Sequence, residues 1–408
     1  MKKPELLSPV NDFPTLKAAV DNGADAVYFG IKGSNMRDAK HGGGFVFRDL
    51  KEIAKFDVKK YMTINGIMYD KELEFVKRAI QESREYVDGY ICWDMAVLQA
   101  ALELGVCAHL STQASVANSA AAKFYYNLGV KRIVPARELS LEQIKEIKKN
   151  IPGLEIETFI HGSMCMAISG RCFLSQDIFK KTANKGKCLN VCRREYTIKD
   201  KREGFEMVLG DDYILNAKDL CCLPFIDKLI EAGIDCFKIE GRSKKADYVK
   251  TVTSVYRKAI DAYFNSNFNK KLVDGLMKEL EGVYNRGFSS GFYLGLPTSD
   301  DWGHEEGNIS KRKKEDVGRV VNYYGKSKVA VIEVTAHGIK TGDNLIVIGN
   351  KTGAVEFKIT SMEVEYEKVK EIEKGLVGVK TEKVLRAGDN VYLYKERKKM
   401  KRDLLEEK

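Results

Sequence analysis

Leu6-Leu-Ser-Pro-Val-Asn-Asp-Phe13-Pro-Thr-Leu-Lys-Ala-Ala-Val-Asp-Asn22-Gly23-Ala-Asp-Ala26-Val-Tyr-Phe-Gly30 contains a complete strand–helix–strand unit. The apolar runs Leu6–Pro9 and Ala26–Gly30 have the length of buried strands, and Phe13–Asn22 between them has helical periodicity. Gly23 supplies the left-handed residue that ends a helix and turns the chain back into a strand. The same punctuation recurs at Leu104-Gly105, Leu128-Gly129 and Ala232-Gly233. Working outward, the expected strands are Leu6–Pro9, Ala26–Gly30, Lys60–Asn65, Gly89–Trp93, Ala108–Ser111, Arg132–Ala136, Glu155–His161 and Cys236–Glu240. Helical patterns lie between them at Phe13–Asn22, Lys71–Tyr86, Met95–Leu104, Ser119–Leu128, Leu141–Lys149 and Pro224–Ala232, and Asp247–Phe264 follows the last strand. Eight strands joined by crossovers count out to a (β/α)8, TIM-like barrel. A doubly wound open sheet shares the same count, because counting strands does not show closure.

Active sites of such barrels form at the C-terminal ends of the strands. This chain places polar residues there repeatedly: Asn35 and Arg37 after strand two, Asn65 after three and Asp94 after four. Ser111-Thr112-Gln113 follows strand five, Arg137-Glu138 six, His161 seven, and Glu240-Gly241-Arg242 eight. Any one of them alone reads as a cap or loop residue. The recurrence marks that end of the barrel.

The insertion 161–222 carries Cys165, Cys172, Cys188, Cys192, Cys221 and Cys222. Clustered thiols in a reducing compartment bind metal more often than they form disulfides, and four thiolates in one pocket suit zinc or an iron–sulfur cluster. Spacing alone does not separate the two. On a helix Cys165 and Cys172 would face one way, as would Cys188 and Cys192. Cys221 after Asn216-Ala-Lys-Asp-Leu reads as a helix start, where a thiol loses its proton more easily. Cys92, Cys107 and Cys236 lie in or beside strands and read as small buried hydrophobes. The sequence has no HExxH, GxSxG or GxxxxGK[ST] motif.

Of the 408 residues 44% are hydrophobic, enough for a large core. No stretch reaches the roughly 20 apolar residues of a membrane span. The opening Met-Lys-Lys-Pro-Glu lacks the apolar segment of a signal peptide, so a cytoplasmic protein is expected. Net charge is +10, densest at Lys311–Lys314 and Lys395–Arg402. That is a solvated lysine-rich surface or a footprint for a phosphate backbone, and composition does not choose.

The barrel is expected over 1–297, a polar linker over 298–315, and a small β-barrel over 316–395. Six short strands build the latter: Val317–Val321, Lys328–Val334, Asn344–Ile348, Val355–Thr360, Leu376–Lys380 and Asn390–Tyr394. The tail 396–408 is charged and has no core of its own.

Glu157-Thr-Phe-Ile-His161-Gly-Ser-Met-Cys165-Met-Ala-Ile-Ser-Gly-Arg171-Cys172-Phe-Leu-Ser175 closely resembles the U32 peptidase family. This is the family of the prephenate-dependent tRNA uridine hydroxylation proteins and the ribosomal RNA cytidine hydroxylation protein. His109-Leu-Ser-Thr-Gln113, Ala217-Lys-Asp-Leu-Cys221, Phe237-Lys-Ile-Glu-Gly-Arg242 and Asn285-Arg-Gly-Phe-Ser-Ser-Gly291 look like further blocks of it, so the likeness covers nearly all of 5–297. The resemblance implies a [4Fe-4S] cluster on Cys165, Cys172, Cys188 and Cys221, with Cys192 or Cys222 able to replace a neighbour; zinc is the alternative. It implies hydroxylation of a pyrimidine in tRNA or ribosomal RNA, with prephenate as co-substrate, an unnamed electron donor and a second family member as a candidate subunit. His161, Glu240 and Arg242 are the expected catalytic groups, His161 for proton handling or donor binding, or else as a scaffold for the cysteine loop. Asn35, Arg37, Asn65, Gln113, Arg137 and Arg171 are the expected substrate contacts; the arginines, with Arg242, suit a carboxylate-bearing donor. Val317-Gly-Arg-Val320, Thr341-Gly-Asp343 and Arg386-Ala-Gly-Asp389 look like the second domain of translation elongation factors, which favours an RNA substrate. Two other readings compete: a peptidase, as the family's title states, and a non-catalytic RNA- or ribosome-associated protein with a structural metal.

Overall fold

Eight parallel strands close on themselves. In the computed structural model, which describes residues 2–32, 44–194, 196–199, 201–204, 206–208, 215–303 and 307–397, seven of them run in chain order. They are β1 (Glu5–Pro9), β2 (Ala26–Gly30), β3 (Lys59–Ile64), β4 (Gly89–Cys92), β5 (Ala108–Leu110), β6 (Arg132–Ile133) and β7 (Glu155–Ser163). A hairpin, β8 (Thr197–Lys199) with β9 (Glu206–Val208), and then β10 (Asp219–Cys221) intervene before the eighth barrel strand, β11 (Cys236–Ile239). β11 pairs with both β7 and β1, and that double pairing distinguishes a barrel from an open sheet.

The helices are α1 (Phe13–Asp21), α2 (Leu50–Ile53), α3 (Leu73–Ser83), α4 (Met95–Glu103), α5 (Ser119–Asn127), α6 (Leu141–Asn150), α7 (Leu174–Phe179), α8 (Ile226–Glu231) and α9 (Ala246–Phe264). The expected Lys71–Tyr86 helix is trimmed at both ends, and the sixth strand stops at Ile133 rather than Ala136. Asp12 and Ser140 form capping boxes at α1 and α6, and Gly23, Gly105, Gly129 and Gly233 all take positive φ at helix ends. An unanticipated α10 (Lys270–Glu281) is capped by Asn269 and packs beside α9.

The barrel interior is not all aliphatic. Leu7, Ala26, Tyr28, Tyr61, Ile91 and Cys236 form a small buried cluster of their own. Around it Lys238 pairs with Glu157 at 2.6 Å, and Arg132 pairs with Glu5 at 2.8 Å. These buried ions have partners, which is the condition for burying them at all.

β7 is nine residues long and outruns the barrel. Its overhanging edge takes β10 in antiparallel register, Cys221 opposite His161 and Asp219 opposite Ser163, and β10 in turn takes β12 (Phe288–Ser289). Cys221 therefore sits on a strand, not at the expected helix start. Gly162, between these partners, has φ of +102°, and a Cβ there would lie 2.5 Å from the Glu240 carbonyl oxygen. Only glycine allows β7 so close to the chain leaving β11.

The second domain is one antiparallel sheet of eight strands wrapped round its own core. It comprises β13 (Arg312–Tyr324), β14 (Val329–Val334), β16 (Asn344–Gly349), β17 (Gly353–Lys358), β18 (Met362–Val364), β19 (Glu367–Val369), β21 (Gly375–Lys380) and β22 (Asn390–Glu396). β15 (Ile339–Lys340) and β20 (Glu371–Ile372) add a two-stranded ribbon. All six expected strands are present, and β18 and β19 extend the sheet. The expected linker is shorter than its composition suggests, and some of its described residues are tied to the rest of the chain. Residues 312–315 already belong to β13, Trp302 bridges to Ala217, and Ser310 is buried.

This domain rests on α1 and α9. Gly353 of β17 lies against Lys17 and Ala18, Ile346, Ala354 and Tyr394 join the large core, and Lys314 reaches Asp247 at 2.7 Å. No helix among the described residues is long and apolar enough to cross a membrane.

Candidate active site

Thr112 and Ser115 after β5, Arg137 and Glu138 after β6, and Met164–Ser169 after β7 border a cavity of about 450 Å³ at the C-terminal face of the barrel. Ser289, Phe292, Leu296 and Trp302 close the far side. The walls are mainly apolar, with Arg137, Glu138, Lys218 and Asp301 as charged groups, and Cys165 is part of the lining. A slot of this size with few polar groups suits a flat ring with an oriented edge.

The cysteine segment arches over neighbouring strand ends. Arg171 donates to the Gln113 carbonyl oxygen at 3.4 Å and lies over the Trp93 ring at 4.9 Å. Lys185 binds the Ile67 carbonyl oxygen at 2.5 Å and Glu72 at 2.6 Å. Cys165 and Cys172 do not share a helix as the spacing suggested: residues 164–173 are irregular, with Gly170 at φ +82°, and α7 starts after them. Cys188 lies in coil and Cys192 in a short 3₁₀ turn. All four thiols are free and half-buried.

Burial pushes the Cys192 thiol up, Arg193 opposes that, and the neighbouring Cys165 and Cys188 raise it further, so these three thiols lie within electrostatic reach of one another. Cys221 has other neighbours. It is buried 3.7 Å from the Tyr256 hydroxyl and 3.9 Å from Met277 Sδ, and burial pushes its thiol up to about 11. The thiolate-favouring helix start expected there is thus replaced by a strand that favours the protonated thiol. Cys92 and Cys236 are buried and Cys107 half-buried, as structural cysteines should be. Among the described residues no three His, Cys, Asp or Glu side chains converge as closely as metal ligands do. The donor type suits a thiolate-held metal, but the described side chains do not bring Cys165, Cys172, Cys188 and Cys192, or Cys221, to ligand distance of one another.

Behind the segment lies a buried charge cluster that motif reading missed. Asp219 pairs with Arg286 at 3.0 Å, and Arg286 also donates to Ser163 Oγ. Burial raises the Asp219 carboxyl, but Arg286, Lys244 and Arg193 together hold it below the usual carboxylate range. Lys244 stacks on Tyr284, 3.0 Å from the ring centroid, and burial lowers it to about 8. Asp219 and Arg286 sit inside blocks that the sequence singled out, yet 67 positions separate them and nothing local announces the pair.

The expected site residues separate into groups. Arg137 lines the cavity, donates to the Ser163 carbonyl oxygen at 3.0 Å and lies over Phe159. His161 is 1% exposed in a box of Tyr248, Tyr256 and Phe288, with Nδ1 3.3 Å from the Tyr256 hydroxyl. Burial lowers its pKa to about 4, so it is a neutral imidazole behind the cavity wall. Glu240 follows β11 with its N–H donating to the His161 carbonyl oxygen at 2.8 Å. Arg242 donates to Thr63 Oγ1 at 2.9 Å. Asn65 and Gln113 are buried; the first accepts Trp93 Nε1 on its main-chain oxygen and the second accepts Ser111 Oγ. Asn35 and Arg37 lie outside the described residues.

A possible nucleophile pair, Cys107 Sγ and His109 Nε2 at 3.5 Å, lies in the barrel away from this cavity. Burial raises the Cys107 thiol and lowers His109 well below its ordinary value, the opposite of an activated pair.

Residues 11–302 match the family model described as peptidase family U32. An "uncharacterized protease" of Methanocaldococcus jannaschii is 44% identical over 96% of this chain and 98% of its own length. A "collagenase" of Porphyromonas gingivalis is 36% identical over 96% and 98%. A "tRNA hydroxylation protein P" of Helicobacter pylori is 38% identical over 73% of each chain.

Proposed function

The chain belongs to peptidase family U32, and on that premise we propose that it hydroxylates a pyrimidine of tRNA held in the cavity beside Cys165. The observation that carries this reading is the meeting of a ring-sized apolar slot with a thiol-rich segment at the catalytic end of the barrel. A base stacked in a helix hides its reactive edge, so the substrate is single-stranded or flipped out.

The segment's thiols would hold a [4Fe-4S] cluster through Cys165, Cys172, Cys188 and Cys192, with Cys192 in place of Cys221 because Cys221 is packed between Tyr256 and Met277. When bound, such a cluster supplies one-electron chemistry or an iron position for an oxygen donor. The chain's own groups do the rest. Arg137 orients a carboxylate-bearing donor such as prephenate at the cavity wall, and Glu138 and Lys218 supply polar contacts to the base edge. Neutral His161 stabilises the wall from behind rather than moving protons.

The names of the M. jannaschii and P. gingivalis relatives favour proteolysis. The Cys107–His109 pair, with its thiol held protonated and its imidazole held neutral, gives that reading little chemical support.

Deleting the gene in its host and analysing tRNA nucleosides by mass spectrometry tests the proposal. A hydroxylated pyrimidine should disappear and return with the wild-type gene but not with Cys165→Ser. An unchanged nucleoside profile would sink it.

A further inference from the structure

The dense basic runs are mostly neutralised where the structure describes them. Lys311 pairs with Glu281, Lys314 with Asp247, and Lys313 and Lys395 both with Glu315. A different surface keeps its charge. Residues 171–194 contain seven lysines and arginines against a single acid, Asp177. Lys185 is used by Glu72 and Arg193 is buried, but Lys180, Lys181, Lys187 and Arg194 are exposed, and among the described residues no ion pair involves them.

Large apolar side chains interleave with these cations: Phe173 is 69% exposed, Ile178 45% and Leu189 36%. Isolated exposed hydrophobes mean little, but three on one cationic segment give that segment an apolar component. Cations that follow a backbone, alternating with flat or apolar platforms for unstacked bases, are the pattern of single-strand recognition. A duplex would meet the cations but leave Phe173, Ile178 and Leu189 facing water, because its bases are already stacked. The segment is also continuous with the cavity. Ser169 lines it, Arg171 follows two residues later, and the Leu189 N–H bonds Ser175 Oγ at 3.0 Å, folding the segment's later half back on α7.

We infer that the outer face of residues 173–190 is the docking surface for the single-stranded RNA loop whose base enters the cavity. This rests on the tRNA-hydroxylation reading and names the surface that reading needs.

The test uses the full chain and a fluorescent anticodon stem-loop RNA, followed by anisotropy over a salt series. Lys180→Glu/Lys181→Glu should weaken binding at least tenfold and flatten the slope of log affinity against log salt by about two. Phe173→Ala should weaken binding about tenfold with the slope unchanged. Lys270→Glu/Lys271→Glu on α10 makes the same charge change elsewhere and should bind as wild type. Equal iron content and melting temperature across the variants show that each is folded. Wild-type affinity and slope in the Lys180/Lys181 variant would overturn the inference. So would equal losses in the α10 control, tighter wild-type binding to an RNA duplex, or competition by polyglutamate as effective as by RNA. Wild-type protein that binds RNA through this face while the host's tRNA is unmodified would retain the surface and sink the hydroxylation reading. Modification that continues normally in the Lys180/Lys181 variant would do the reverse.

Discussion

Arg193 donates to the main-chain carbonyl of Met164, so the two ends of the cysteine segment are clasped by one buried guanidinium. The same side chain holds Asn216 Oδ1 at 2.9 Å and the Ala217 carbonyl oxygen, which ties the segment to β10 as well. Removing it leaves three acceptors short of a donor. Arg193→Met should cost about 3 kcal/mol or more and release the segment, so that its thiols react faster with a disulfide reagent. Arg193→Lys keeps the charge but not the fork and should recover only part of both effects. Urea unfolding and labelling kinetics measure the two; unchanged labelling rates in Arg193→Met would refute the clasp.

Asp219 and Arg286 form a second buried link between β10 and the β12 region. Cutting one side strands the other charge, and Asp219→Leu or Arg286→Met should each cost about 3–5 kcal/mol. The double variant Asp219→Leu/Arg286→Met should regain much of that loss, because no orphan charge remains. Additive losses in the cycle would show that the two residues are not energetically paired.

The elements were legible because their signals are local. Phe13–Asn22 shows its period within ten residues, and Gly23, Gly105, Gly129 and Gly233 mark ends that depend only on backbone conformation. Closure of the barrel and the Asp219–Arg286 pair were not legible, since both depend on residues far apart in the chain. Cys221 was misplaced for an identifiable reason. Asn216-Ala-Lys-Asp looks like a helix cap, but the overhang of β7 offers a free edge, and pairing with His161–Ser163 wins over local propensity. The spacing of Cys165 and Cys172 suggested a helix in the same way, and the left-handed Gly170 interrupts it. Of the strand-end residues, Arg137 reached the cavity while Asn65, Gln113 and His161 were absorbed into buried contacts.

His161 sets a pH dependence of stability. Its folded-state pKa, about 4, lies below the ordinary value of 6.5 because burial disfavours the imidazolium. The unfolded chain therefore takes up a proton first as pH falls. Stability is complete above about pH 6.5 and declines toward pH 4, by about 3 kcal/mol from this group. His161→Phe, which keeps the aromatic packing but cannot titrate, should show a shallower decline across that window in urea midpoints. His109 shifts in the same direction through burial, so some slope should persist in the variant. An identical pH profile in wild type and His161→Phe would show that the imidazole is not held neutral.

Cys192 and Cys221 make opposite predictions for the metal. Cys192 shares its electrostatic surroundings with Cys165 and Cys188, whereas Cys221 Sγ faces the Tyr256 hydroxyl and Met277 from a buried strand. A cluster held by the segment alone should be lost, or reduced to a three-iron form, in Cys192→Ser. Cys221→Ser should keep a full iron and sulfide complement and lose only the modest stability of a buried thiol contact. Iron and sulfide analysis of anaerobically purified variants, with the electron paramagnetic resonance spectrum of each, separates the cases. Full iron in Cys192→Ser together with loss in Cys221→Ser would mean that β10 must leave Tyr256 to reach the segment, and the assignment of Cys192 would fall.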